Sequence, residues 1–235
     1  MSQAILISGK SMSEGMVDRS LKVRTAEVFD QIAEHFDLTR RSPWREVVEY
    51  VESMGHMDIV ADIGCGNGRH IPYLSEKAGK VLAVDFSGEM LSIARRNIDL
   101  AGLSGKVVFL LADSSRLPLK KESVDGFIYI AALHHLPTVG ERLESLESLR
   151  AALKSGSRGL VSVWVLDQPR FENLVETAKD GDILVPWTMP DGQKVDRFYH
   201  LFQEEELRSL LEASGLAVEK LYRSRDNYFA EVVSD

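Results

Sequence analysis

Asp62-Ile63-Gly64-Cys65-Gly66-Asn67-Gly68 is the stretch whose reading decides the fold. An apolar run over residues 59–63 leads into it, and a helical pattern starts behind it at about Arg69. Three glycines on alternate positions between a strand and a helix let backbone approach a ligand closely, because glycine takes left-handed dihedrals and brings no side chain. Outward from the loop the same rhythm repeats. Residues 81–84 read as a strand, 88–101 as a helix, and 107–111 and 126–130 as further strands. A helix carrying Leu143, Leu146, Leu149 and Leu153 then precedes the β-branched run 160–165. Alternation of this kind predicts an α/β fold with a mostly parallel, doubly wound sheet.

The two ends depart from that rhythm. Val28, Phe29, Ile32, Ala33 and Phe36 recur at helical spacing, and Pro43 suits the first turn of a second helix reaching about Met54. Two helices over 26–55 are therefore expected before the first strand. Residues 1–23, rich in Ser, Gly and Met, hold no sustained periodicity and read as a loose leader. Between 167 and 197, Pro169, Pro186 and Pro190 with Gly181 and Gly192 predict a short helix and loops inserted on the substrate side. A helix over 204–214 closed by Gly215 and two strands, 216–222 and 227–233, complete the chain, the strands pairing as an antiparallel hairpin. Residues 24–235 thus read as one domain.

Composition narrows the classes. The 235 residues are 44% hydrophobic and 27% charged, as in ordinary soluble globular proteins. No apolar stretch approaches the roughly 18 residues of a membrane span, and the run 4–7 follows no basic segment, so a cytoplasmic location without membrane attachment is expected. A formal net charge of -8 argues against a broad nonspecific grip on nucleic acid. It leaves room for a local basic patch: Arg40, Arg41 and Arg45 cluster in sequence, and Arg197, Arg223 and Arg225 join them only if the fold brings them together. Cys65 is the single cysteine, which excludes an internal disulfide and a multi-cysteine zinc site in this chain, and no metal is expected.

The acids set the chemistry. Asp85 stands 23 residues after Asp62, at the end of the next strand, where a carboxylate holds both ribose hydroxyls of a nucleoside. Asp113 follows the third strand and suits an adenine amino group, with Phe86 and Leu117 as apolar neighbours for the ring. Two other readings compete, a dinucleotide oxidoreductase and a doubly wound domain whose acids merely cap helices. The Gly-x-Gly-x-Gly spacing, the acid two residues before the first glycine and the acids after three successive strands weigh against both. S-adenosylmethionine carries an ammonium and a sulfonium and no phosphate, so carboxylates here match its charge.

The core segments Asp62 to Gly68, Asp85-Phe86-Ser87, Ala112-Asp113-Ser114 and Leu153-Lys154-Ser155-Gly156 resemble those of class I S-adenosylmethionine methyltransferases. That resemblance implies a Rossmann-like seven-stranded sheet with an antiparallel C-terminal hairpin. It implies cofactor contacts from Asp62, Gly64, Cys65, Gly66, Gly68, Asp85, Phe86, Ser87, Ala112, Asp113, Ser114 and, after the fourth strand, Ala131. Outside the core, Val28 to Trp44, Asp182 to Trp187, Arg197 to Phe202 and Arg225 to Tyr228 look like the tRNA methyltransferases that esterify 5-carboxymethyluridine at the wobble position. The chain departs from them at Tyr228, where Trp is usual, and in a short insertion between Trp187 and Arg197. This second resemblance implies tRNA as substrate and a small zinc-binding activator protein as partner.

Esterification asks little of a general base, since a carboxylate of pKa near 4 is already ionised at neutral pH. It asks for placement, and Arg40, Arg197, Tyr199 and His200 are the candidate catalytic residues. Strand alternation puts Arg197 and Tyr199 on one face and turns His200 away. Trp44, His135, Trp187, Asp226 and Asn227 are candidate substrate contacts. Each also has a structural reading: Arg40 as a helix cap, His135 packed on the next helix, tryptophans beside prolines pinning loops, Asp-Asn as a turn. A small-molecule methyltransferase and a non-catalytic binding protein remain the rival functions.

Overall fold

The computed structural model describes residues 14–171 and 179–235. Two helices come first, α1 (Glu14–Thr39) and α2 (Arg45–Ser53). The alternating core follows as β1 (Met57–Ile63), α3 (Ile71–Lys77), β2 (Ala78–Asp85), α4 (Gly88–Leu100), β3 (Val107–Leu111), β4 (Val124–Ile130), α5 (Val139–Ala152) and β5 (Leu153–Trp164). Then come β6 (Asp182–Thr188), β7 (Lys194–His200), α6 (Glu204–Ala213), β8 (Leu216–Ser224) and β9 (Asn227–Ser234). Seven strands form one sheet in the order β3-β2-β1-β4-β5-β9-β8. The pairs among β1 to β5 are parallel and those of β9 with β5 and β8 antiparallel, as expected for this fold class.

A parallel sheet is stable only when both faces are covered, and the side chains of β4 show how this is met. Phe127 and Tyr129 enter the cluster with Leu146 and Leu149 of α5 and Leu207 and Leu211 of α6. Ile128 and Ile130 point the other way, among Val47 and Val51 of α2, Ile71 and Leu74 of α3, and Leu91 and Ile98 of α4. Each such fully buried side chain contributes about 1.5–3 kcal/mol.

Three expectations change. First, α1 begins at Glu14, so residues 14–23 are helix and not loose leader; residues 1–13 lie outside the described residues. Tertiary contacts override the weak local pattern, because Lys22 of α1 is paired with Asp113 and Glu141. Second, Pro43 precedes α2, whose N-cap is Trp44. Third, the segment expected as a short helix and loops contains a hairpin, β6 paired antiparallel with β7 from Asp182↔His200 to Thr188↔Lys194. A two-stranded sheet is all edge, so Pro186 fits it without removing a needed hydrogen bond. Residues 172–178 lie outside the described residues.

The hairpin is what shapes the site. Trp187 and Val195 pack with Ile32 and Ala33 of α1 and Met90 and Ile93 of α4. Helix α1 is thereby held over the carboxyl ends of the central strands, between α4 and the hairpin.

Candidate active site

A cavity of about 1100 Å³ lies between the carboxyl ends of β1, β2 and β4, helix α1 and the β6–β7 hairpin. Its floor is the glycine loop. Gly64 has φ +68°, and a Cβ there would stand 2.3 Å from that of Ala132, so only glycine fits. The Gly66 amide donates to Asp85 Oδ2 at 2.7 Å and the Ser87 amide to Asp85 Oδ1 at 2.9 Å. The Asp85 carboxylate is thus aimed by backbone, and each oxygen keeps an acceptor position. Burial raises its pKa against those hydrogen bonds. Ser87 caps α4 by accepting from the Met90 amide, and its hydroxyl donates to Asp30 of α1.

Asp113 closes the far end. Its Oδ1 accepts from the amide and the hydroxyl of Ser115, both at 2.9 Å, and its Oδ2 lies 2.6 Å from Lys22 Nζ. Although burial pushes the other way, Lys22 and Ser115 hold this carboxyl below its usual range.

The opposite end is aromatic and cationic. Trp187 lies under two guanidinium groups, Arg197 at 4.8 Å and Arg40 at 5.3 Å from the ring centre, and its indole N–H donates to His35 Nδ1. Arg197 Nη1 donates to the Tyr199 hydroxyl at 2.7 Å, and Tyr199 stacks on Trp164 at 4.1 Å between ring centres. Trp44 sits under Arg69, whose pKa burial lowers to about 10.

Two adjacent histidines line the wall between these ends. His134 Nδ1 accepts from the Trp164 amide, which puts its proton on Nε2, a buried atom with no hydrogen-bond partner among the described residues. His135 Nδ1 lies 2.9 Å from the Phe198 carbonyl and therefore donates to it, leaving Nε2 as an acceptor. Burial holds His134 well below the usual histidine range and brings His135 down to about 3, so both are neutral.

Residues 60–156 match the methyltransferase domain family. Among curated relatives, the tRNA (carboxymethyluridine(34)-5-O)-methyltransferase ALKBH8 of Mus musculus is 34% identical over 60% of this chain and 20% of its own length. The enzyme of that name from Saccharomyces cerevisiae is 30% identical over 71% of this chain and 57% of its own, and the one from Schizosaccharomyces pombe 27% identical over 86% and 92%. The chain thus spans about a fifth of the first relative and under three-fifths of the second. A solved complex of DhpI with SAM and HEP superposes with a TM-score of 0.71 at 22% identity, covering 94% of this chain and 99% of that one. Residues 60–156 thus match a methyltransferase domain, and the chain has the fold of this solved complex. A complex of the Haloferax volcanii Trm112 methyltransferase activator with a methyltransferase also shares this fold, with a TM-score of 0.69 at 17% identity over 89% and 97% of the two chains.

The residues that line the cavity fit S-adenosylmethionine, the SAM bound in the DhpI complex. Asp85 offers two acceptor positions for a pair of ribose hydroxyls, Asp113 keeps one for an adenine amino group, and Arg69 and Arg40 suit the carboxylate of the methionine end. Of the expected cofactor residues, Gly64, Cys65, Gly66, Asp85, Phe86, Ser87, Ala112, Asp113, Ser114 and Ala131 line the cavity. Asp62 and Gly68 do not. The domain buries Asp62 behind the loop, 1% exposed, with Oδ2 unpartnered among the described residues; burial first and Asp85 second raise its pKa to about 7. Gly68 turns toward Ala94 and Ile71, where a Cβ would press at 3.2 Å. The Cys65 thiol is pushed up by burial and stays protonated.

Of the expected substrate-side residues, Arg40, Trp44, His135, Trp187, Arg197 and Tyr199 line the cavity. His200 does not, and it leaves the catalytic set: its ring lies between Asp182 at 2.7 Å and Glu206 at 2.6 Å, tying the hairpin to α6. Asp226 and Asn227 lie beside the cavity wall and not in it, since Asn227 pairs with Trp164 and the Asp226 carbonyl accepts from the Val165 amide. His134 lines the cavity beside His135, as the His-His pair after the fourth strand suggests. Lys22, Arg69 and Trp164 were missed, although Arg69 was legible as the residue after Gly68.

Proposed function

We propose that this chain transfers the methyl group of S-adenosylmethionine to the carboxylate of 5-carboxymethyluridine at the wobble position of tRNA, forming the methyl ester. The observation that carries the reading is the character of the acceptor end. Burial holds His134 and His135 neutral, with pKa values lowered so that they are weak bases, and among the described lining residues the only carboxylates are Asp85 and Asp113, at the cofactor end. Such a wall suits a nucleophile that arrives already ionised.

The cofactor supplies a sulfonium-bound methyl, and the carboxylate oxygen takes it as the thioether leaves. The protein's part is placement. Arg40 and Arg197 bring positive charge to the acceptor end, the Tyr199 hydroxyl is held by Arg197, and Trp187 and Trp44 give flat faces on which an unstacked base rests. The names of the curated relatives support the same substrate. Work on tRNA fits the cytoplasm, and no helix among the described residues is long and apolar enough to cross a membrane.

A small zinc-binding activator is part of this proposal. Strand β3 is a sheet edge, and Val108 and Leu111 are exposed along it at 40% and 66%, the kind of edge that takes an added strand from a partner. The test is incubation of the protein, with and without such an activator, with methyl-labelled S-adenosylmethionine and total tRNA, followed by nucleoside mass spectrometry. The expected product is a methyl-ester uridine whose label is released by mild alkali. Label confined to a small-molecule fraction would refute the tRNA substrate and keep the methyltransferase.

A further inference from the structure

Arg225 occupies a conformation that its side chain does not favour. It is the first residue of the two-residue turn between β8 and β9, with φ +51°, where glycine would be free of strain. Its exposed guanidinium makes no hydrogen bond or ion pair among the described residues. A large cation kept at a glycine position, with no partner among the described residues, is free to meet a group outside the fold.

The turn places it beside the cavity. Ser224 hydrogen bonds to Glu46 in the first turn of α2, and Phe229 packs edge-on against Trp44 at 5.9 Å, so the β8–β9 turn and the α1–α2 loop are neighbours. Trp44 and Trp164, both lining the cavity, are the residues these contacts flank. Arg41 and Arg45 are exposed on the α1–α2 loop and the start of α2. Their acids are weak competitors: Arg41 reaches Asp37 only at 3.6 Å, and Arg45 pairs with Glu49 in an exposed i, i+4 bridge. Arg223 is committed, donating to the side chain and carbonyl of Asp167.

We infer that Arg41, Arg45 and Arg225 form a phosphate-binding rim that tracks the RNA backbone next to the nucleotide delivered into the cavity. The inference rests on the RNA substrate proposed above and adds where the strand runs. In a chain of net charge -8, such a rim orients RNA at one edge of the site while the rest of the surface repels it.

The test measures binding without turnover: full-length protein loaded with S-adenosylhomocysteine, any activator included, titrated with unmodified tRNA transcript over a range of salt. Arg225→Gly removes the cation and relieves the backbone, so its thermal midpoint should be equal to or higher than that of the unsubstituted protein. Its tRNA affinity should fall about five-fold, the range of one exposed ion pair. The slope of log affinity on log salt should shrink by about 0.7–0.9, one released counterion. The double variant Arg41→Gln/Arg45→Gln should lose more slope with unchanged S-adenosylhomocysteine affinity. Wild-type affinity and slope in both variants would overturn the rim. Transcript that binds with the expected slopes, while carboxymethylated tRNA is never methylated, would overturn the reaction and support the rim.

Discussion

Replacing Asp62 with asparagine should stabilise this protein at alkaline pH and much less in acid. The Asp62 carboxyl is 1% exposed, has an oxygen unpartnered among the described residues and faces the Asp85 charge, and its pKa rises from 3.8 to about 7. A rise of that size disfavours the ionised form in the folded state by about 4 kcal/mol. The unfolded chain releases this proton near pH 4 and the folded chain only near pH 7. Stability is therefore lost as pH rises through that window and stays low above it. The asparagine variant carries no charge and also lifts the repulsion on Asp85. Urea unfolding of both proteins at half-unit steps from pH 4.5 to 9, as conditions chosen to span the window, gives the difference in free energy directly. That difference should be about 1 kcal/mol at pH ~4.5 and grow to about 4 kcal/mol in favour of the variant above pH 7. A difference independent of pH would refute the assignment, because it would mean that Asp62 ionises in the fold as it does in the open chain.

Gly64→Ala should abolish S-adenosylhomocysteine binding in calorimetry, since its Cβ would lie 2.3 Å from Ala132; retained affinity would show that the loop relaxes freely. Arg197→Lys loses the fork that bonds Tyr199 while covering Trp187, and should lower kcat/KM for methyl transfer at least about ten-fold, ~1.4 kcal/mol, with cofactor affinity preserved. His200→Gln should destabilise the protein mainly in acid. Despite its burial, Asp182 and Glu206 raise the His200 pKa, so its contribution is full below pH ~6.5 and lost as pH rises through the raised value. An equal loss at pH 6 and pH 9 would contradict a protonated clasp.

The sheet was legible because its period is short and its punctuation local. Strand β3 matches its expected bounds, and the strand–loop–helix setting of Gly64, Gly66 and Gly68 follows from residues within one turn of each other. Alternation along β7 also placed Arg197 and Tyr199 on one side and His200 on the other, as the structure has them. The hairpin segment reads as a short helix and loops in sequence because Pro186 and Pro190 speak against strands, and sequence does not reveal that the sheet they interrupt is all edge. Lys22 left no local mark: 93 residues separate it from Ser115, and only the packed fold makes them partners. The burial of Asp62 is hidden for a related reason, since spacing shows that an acid precedes the glycines and not which side of the loop it faces.

All three tryptophans of the chain, Trp44, Trp164 and Trp187, stand in the wall of one cavity, under Arg69, against Tyr199 and under Arg40 and Arg197. The intrinsic fluorescence of this protein is consequently a local signal. A methionine carboxylate that engages Arg69 and Arg40, and an anionic nucleotide that engages Arg197, should each alter its intensity and wavelength, so filling of the cavity is read by light alone.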